Sequence, residues 1–172
     1  EGLSANSVQS LLADYEDNLW AGTLGSGVNL FSGETFVSYN YRNGLSTENV
    51  TAIFTEPSGR TSYIGTTDGL FIFNQSNGLF KKVTGIKEIE KANIASLSTD
   101  ASGLLWIAAG NKVFVLKRQG ESLLLNKQFS RIDGVPLLSP NKIIHNSEGN
   151  CLIATFGSGA FFINGKTEKS FN

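Results

Sequence analysis

Asp14-Tyr-Glu-Asp-Asn-Leu-Trp-Ala-Gly-Thr23, followed by Gly25-Ser-Gly27 and Val28-Asn-Leu-Phe31, is the stretch that decides the fold. Turn formers at 14–18 precede a short apolar run, a glycine doublet reverses the chain, and a second apolar run follows. That is the chemistry of antiparallel strands joined by tight turns. The same order returns in Ser58–Phe73, Ala101–Leu116 and Glu148–Ile163. The large residue of the second strand is Trp20, Tyr63, Trp106 and Leu152, spaced 43, 43 and 46 apart. Thr23, Thr66, Ala109 and Thr155 follow three residues later. Two further landmarks recur: an Asn near the start of the first strand (Asn6, Asn49, Asn93, Asn141) and an aromatic after the third strand (Phe36, Phe80, Phe129, Phe171).

A period in the low to middle forties holding four short strands predicts β-propeller blades of four antiparallel strands. The fold class is therefore all-β, with about four repeats at roughly 2–43, 44–91, 92–139 and 140–172 in one domain over 1–172. First strands are expected to begin near Val8, Val50, Ile94 and Lys142. Ile86–Ala92 has the nearest approach to a helical pattern and reads as a polar loop or single turn, and Gly134–Asn141 reads as a long linker. The chain has no Met and ends just inside a fourth strand, which predicts an incomplete last blade and a fragment of a larger propeller.

Composition excludes several classes. Forty per cent of residues are hydrophobic and 17% charged, so the chain is not of disordered type, and no apolar run is long enough to span a membrane as a helix. A net charge of -1 with mixed signs argues against nucleic acid. Cys151 is the one cysteine and has no internal partner. No metal site and no cofactor are expected. His145 is the one histidine, and Asp14, Glu16 and Asn18 depart from a calcium loop, with Leu19 and Gly25 where Gly and Glu are needed. Gly25–Gly27 and Gly157–Gly159 have neither the lysine nor the helix of a phosphate loop. His145 is read as a satisfied structural residue rather than a catalytic base, and the sequons at Asn49 and Asn74 as chance triplets.

The repeat resembles the two-component regulator propeller family, whose pattern runs N-x-V, D-x-x-G-x-L-W-I-G-T, G-G-L, then a G-L-S linker. Here the matching residues are Asn6-Ser-Val8, Asn18-Leu-Trp-Ala-Gly-Thr23, Gly25-Ser-Gly-Val-Asn-Leu-Phe31 and Asn43-Gly-Leu-Ser46. Departures are Asp17 for Gly, Ala109 for Thr and Leu152 for Trp. The resemblance implies a non-enzymatic, extracytoplasmic sensor segment of a bacterial hybrid histidine kinase. It also implies a parent ring of about seven blades and a small-molecule ligand, often an oligosaccharide.

Trp20, Tyr63 and Trp106 recur at one position in each blade and are expected to fill space between blades. Antiparallel alternation places the turns between second and third strands on the same rim as the linkers between blades. On that rim the least repeat-like residues are Asp68, Asn111 and Glu48, the candidate ligand-binding set. Blade faces without a neighbour predict self-association, as two chains completing an eight-bladed ring or as a strained four-bladed closure. A structural or dimerisation scaffold is the alternative function, and a propeller lyase or hydrolase the distant one.

Overall fold

The computed structural model describes residues 2–59, 61–75, 77–164 and 168–171, so Arg60 of one turn and Ser76 of the Asn74 sequon lie outside it. Strands account for nearly all the regular structure, and a single 3-10 turn, η1 (Tyr41–Asn43), is the one helical element among the described residues. Two compact units divide the chain, Glu1–Ile94 and Ala95–Asn172.

Unit 1 holds two blades. Blade one pairs β1 (Val8–Ala13), β2 (Leu19–Thr23), β3 (Val28–Phe31) and β4 (Phe36–Tyr39) in sequence order. Blade two repeats this with β5 (Val50–Thr55), β6 (Ser62–Thr66), β7 (Gly69–Asn74) and β8 (Leu79–Lys82). Unit 2 holds blade three, with β9 (Ile94–Thr99, whose first residue closes unit 1), β10 (Leu105–Ala109), β11 (Lys112–Gln119) and β12 (Ser122–Phe129). After a small ladder of β13 (Arg131–Ile132) and β14 (Val135–Pro136), blade four follows as β15 (Pro140–His145), β16 (Cys151–Thr155), β17 (Ala160–Ile163) and β18 (Glu168–Phe171). The first strands of blades one, two and four each carry a register shift near their start, at Val8/Ser10, Val50/Ala52 and Pro140/Lys142.

Register tests the repeat position by position. Trp20 faces Leu30, Tyr63 faces Ile72, Trp106 faces Val115 and Leu152 faces Phe162, so these four are equivalent. The other two landmarks are not. Phe36 and Phe80 pair with the ends of β3 and β7, at Phe31 and Phe73, whereas Phe129 and Phe171 pair with Val113 and Ala160 near the starts of β11 and β17. The true counterpart of Phe129 and Phe171 in blade one is Tyr39, opposite Val28. Likewise Val8, Val50 and Pro140 face Thr23, Thr66 and Thr155, which sets Asn49 level with Ser7 and Ser139 rather than with Asn6 or Asn141.

The structure corrects the incomplete last blade and refines three further expectations. Blade four has a paired fourth strand, β18, of the same length as β4 and β8. Its first strand begins at Pro140, two residues before Lys142, because the ladder continues across the irregularity. The linker at 134–141 contributes β14 to the small ladder with β13. Ile86–Ala92 makes one turn, with Ile89 and Glu90 amides donating to the Ile86 carbonyl, but Ile86 and Ile89 are buried, so the turn is anchored by apolar contacts.

The turn from first to second strand is built around its opening acid. Asp14 Oδ1 accepts from the amides of Glu16 and Asn18, both at 2.9 Å, and Oδ2 accepts from the buried indole of Trp20 at 2.7 Å. Asp100 repeats this on Ser102, Leu104 and, at 2.9 Å, Trp106. In blade two Glu56 accepts from the Tyr63 hydroxyl at 2.7 Å. Blade four has Leu152 in place of the indole, and there a neutral Asn146 holds the turn amides. A buried N–H needs an acceptor and a leucine does not, so acid and aromatic occur together. Burial raises the Asp14 carboxyl pKa, yet the bonds from Trp20, Asn18 and the turn amides outweigh it and hold the group below its usual value.

Candidate functional site

The rim of unit 1 is formed by the β2–β3 and β6–β7 turns and the linkers beside them. Leu24 and Thr67 donate backbone bonds to Ser7 and Asn49, the residues just before β1 and β5. Gly25 and Gly27 both donate to the Glu48 carbonyl, at 3.2 and 3.0 Å, and Gly69 donates to Ala92 at 2.9 Å. Gly69 has φ +101, and a Cβ there would lie 2.6 Å from the Glu90 carbonyl oxygen, so close passage of a linker is one reason for glycine at this turn.

Asp68 sits where turn and linker meet. Its Oδ2 accepts from the Ser46 hydroxyl and from Lys82 Nζ, each at 2.6 Å. The lysine bond first, then Ser46, holds the Asp68 carboxyl below its ordinary value, with Lys91 adding a weaker pull. Lys82 Nζ also lies 5.7 Å from the centroid of the Phe71 ring. Glu48 accepts from the Tyr41 amide at 3.3 Å through Oε1. Each of these acids thus ties one segment to another with one oxygen and keeps its second oxygen available.

Unit 2 has the same construction. Phe156 donates to the Ser139 carbonyl at 3.1 Å, as Leu24 and Thr67 do to their linkers, and Gly157 donates to Leu138. Asn111 Oδ1 accepts from the Ser139 amide at 3.0 Å, which leaves its amide nitrogen to solvent. Ser139 itself has φ 52, a left-handed conformation. Asn111 and Phe156 therefore grip the same linker residue from its two ends. Sequence reasoning set Phe156 on this rim but not among the candidate contacts; it is strongly exposed and stands where blades one and two have Leu24 and Thr67.

The interior groups are arranged for packing. Trp20, Tyr63 and Trp106 are all buried. His145 stands edge-on to Trp106, with centroids 5.1 Å apart, and its Nδ1 is 2.9 Å from Ser98 Oγ. Its Nε2 is buried without a partner, which corrects the expectation of a fully satisfied histidine. Burial lowers the His145 pKa, and the Asp100 charge opposes that only in part. Asp100 bonds to the indole of Trp106 rather than to His145, so Ser98, His145 and Asp100 are near one another without forming the relay a nucleophile needs. Cys151, paired with His145 across the ladder, is buried and pushed up to about 12, mainly by desolvation, which keeps it a thiol. Among the described residues no group of three or more His, Cys, Asp or Glu side chains could hold a metal, and no helix is long and apolar enough to cross a membrane.

The first turn and indole clamp of blade one, up to the first glycine of the reversal, lie inside the segment that a family model matches, residues 2–25. Residues 2–25 match the model of the two-component regulator propeller. The matched segment thus takes in β1, β2 and the start of the turn that leads to β3. The fold is similar to the extracellular domain of BT4673 of B. thetaiotaomicron, described as a hybrid two-component system. The TM-score is 0.74 at 20% identity, over 94% of this chain and 22% of that one. It is also similar to the extracellular domain of BT3049 of the same organism, with TM-score 0.60 and 20% identity over 99% of this chain and 29% of that one. Hydrazine synthase of Kuenenia stuttgartiensis shares the fold as well, at TM-score 0.71 and 11% identity, over all of this chain and 51% of that one. The chain thus spans between about a fifth and a half of these proteins, and the fold they share hosts a synthase as well as extracellular domains of two-component systems. No curated protein matches the chain.

Proposed function

We propose that this chain is a non-catalytic, extracytoplasmic segment of a bacterial two-component sensor, and that its turn-and-linker rim takes a small polar ligand such as an oligosaccharide. The observation that carries the reading is the regulator propeller repeat at 2–25 in a chain folded like sensor ectodomains along 94% of its length. Asp68, Glu48 and Asn111 are the proposed contacts: each already fastens a turn or a neighbouring segment to a linker and retains a polar atom for a ligand hydroxyl. A ligand held at such a point would tighten the linker beside it, and so would change how firmly the blades of that unit are held, without any covalent step. The unassembled Ser98, His145 and Asp100 group and the inert Cys151 support a non-enzymatic reading. Self-association through uncovered blade faces belongs to the same proposal.

The test is a thermal-shift screen of the chain against a panel of oligosaccharides, repeated with the triple variant Glu48→Ala, Asp68→Ala, Asn111→Ala. A binder gains stability as RT ln(1 + [L]/Kd), and the variant is expected to lose that gain while keeping its strand signal. An equal gain in the variant removes the rim assignment. No gain with any sugar favours the scaffold reading.

A further inference from the structure

Phe156 is 82% exposed, more than any other large hydrophobic side chain among the described residues. One apolar side chain at a surface is ordinary, but this ring stands on a turn that is tied down at every residue. The amide and hydroxyl of Thr155 both donate to the Gly159 carbonyl, at 3.0 and 2.8 Å, and the Ser158 amide donates to the Thr155 hydroxyl at 2.9 Å. Phe156 and Gly157 donate to the carbonyls of Ser139 and Leu138, and the Leu138 amide donates to the Ser158 hydroxyl. The ring is thus presented to solvent by a loop with little freedom left to lose on binding.

The exposure belongs to the position. Leu24 stands at the same place in blade one and is 50% exposed, although the linker that follows its blade is present and its Glu48 carbonyl takes bonds from Gly25 and Gly27. Thr67 is exposed in blade two, where Gly69 is bonded to Ala92 of the following linker. A linker passing blade four in the same way would leave the Phe156 ring in solvent.

What surrounds the ring is polar and uncharged. Asn111 Oδ1 accepts from the Ser139 amide at 3.0 Å, which fixes the orientation of the side-chain amide and leaves Nδ2 with two donors to offer. The Thr155 and Ser158 hydroxyls are engaged within the turn and with the linker. The apolar part of this corner is confined to the ring and the exposed Leu138. Residues 110–111, 137–139 and 156–159 carry no charge, and Lys112, next to Asn111, has its Nζ 5.9 Å from the centroid of the Phe114 ring.

We propose that this corner of unit 2 is the subsite for one neutral pyranose unit of an oligosaccharide, its C–H face lying on the Phe156 ring and a hydroxyl accepting from Asn111 Nδ2. The proposal rests on the ligand reading given above and adds to it an aromatic platform and a charge class. A pyranose has an apolar face edged with hydroxyls, and the corner offers the complement, a flat apolar ring beside a fixed amide donor. An acidic sugar would find no cation in these three segments to offset the water it loses. A protein partner would need a broader apolar surface than one ring and one leucine.

The test is calorimetric titration of the full chain with cellotetraose, mannotetraose, galactotetraose and xylotetraose, and with tetragalacturonate as the charged counterpart. Two variants are compared. Phe156→Leu places here the residue type that blade one carries at Leu24, which spares the fold, and Phe156→Trp keeps an aromatic face. At least one neutral sugar is expected to bind the wild type, to bind Phe156→Leu about tenfold more weakly, and to recover in Phe156→Trp. Equal affinity for wild type and Phe156→Leu overturns this subsite and leaves the rim reading standing. Equal weakening in both variants overturns stacking, and with it the proposal. Tighter binding of tetragalacturonate than of every neutral sugar overturns the neutral class. No binding of any sugar to the wild type ends both this proposal and the ligand reading it rests on.

Discussion

Replacing Asp14 by Asn isolates the bond that joins the first turn to the core. In the wild type one carboxylate oxygen holds two turn amides and the other takes the Trp20 indole at 2.7 Å. Asparagine keeps the first task, as Asn146 does in blade four, but turns an N–H toward the indole N–H. A buried donor left without an acceptor costs about 1–3 kcal/mol, so unit 1 should lose roughly 2 kcal/mol near neutral pH. Urea unfolding gives the total, and hydrogen exchange of the Glu16 and Asn18 amides reads unit 1 by itself. The control is a double-mutant cycle with Trp20→Leu, which recreates the pairing of blade four. In that background Asp14→Asn should cost about 1–2 kcal/mol less than in the wild type. An equal cost in both backgrounds would refute the indole-acceptor account. The pH dependence carries the same sign. The folded Asp14 carboxyl lies below its unfolded value near 3.8, so its contribution is complete above that pH and is lost as pH falls through the folded pKa. Wild type and variant should therefore converge in acid.

Two further outcomes follow from packing and titration. Gly65→Ala would bring a Cβ to 2.7 Å from Ile94 Cγ2 and 3.1 Å from the Ala52 Cβ, so overpacking should lower stability by about 1–3 kcal/mol in a urea titration; an unchanged midpoint would refute the close approach of these strands. Burial lowers the His145 pKa below 6.5, so the unfolded chain binds more protons as pH falls through that value. Stability should decline between neutral pH and about pH 5.5, more steeply than in His145→Gln, by at most about 1.4 kcal/mol per pH unit. Parallel pH profiles for the two proteins would overturn this.

The rim assignment stands apart from these tests because its residues are exposed or half-buried and tied to local partners. Asp68 was legible in the sequence as the odd acid of a glycine turn, but its bonds to Ser46 and Lys82 were not, since those partners lie 22 and 14 residues away. Asn111 likewise reaches Ser139 across the whole of β11 and β12. Phe156 falls in a turn that the antiparallel alternation already sets on this rim, and the fold adds that its ring is strongly exposed there.

What the sequence determined by itself was the repeat and its strands. Those depend on local chemistry: short β-rich runs, turn residues at fixed places, and one large residue every forty-three or so positions. The equivalence of Trp20, Tyr63, Trp106 and Leu152 survived because each lies mid-strand at a fixed distance from its turn. The Asn and Phe landmarks lie beside linkers, register shifts and hairpins of unequal length, where one added residue moves every later side chain along the ladder, and there matching letters did not mean matching positions. The tertiary structure alone decided which acid accepts from which indole, which oxygen of each rim acid is engaged, and which blade faces pack together within each unit. Hydrogen-bond partners and burial are set by where distant segments meet, and a repeat pattern along the chain holds no record of that meeting.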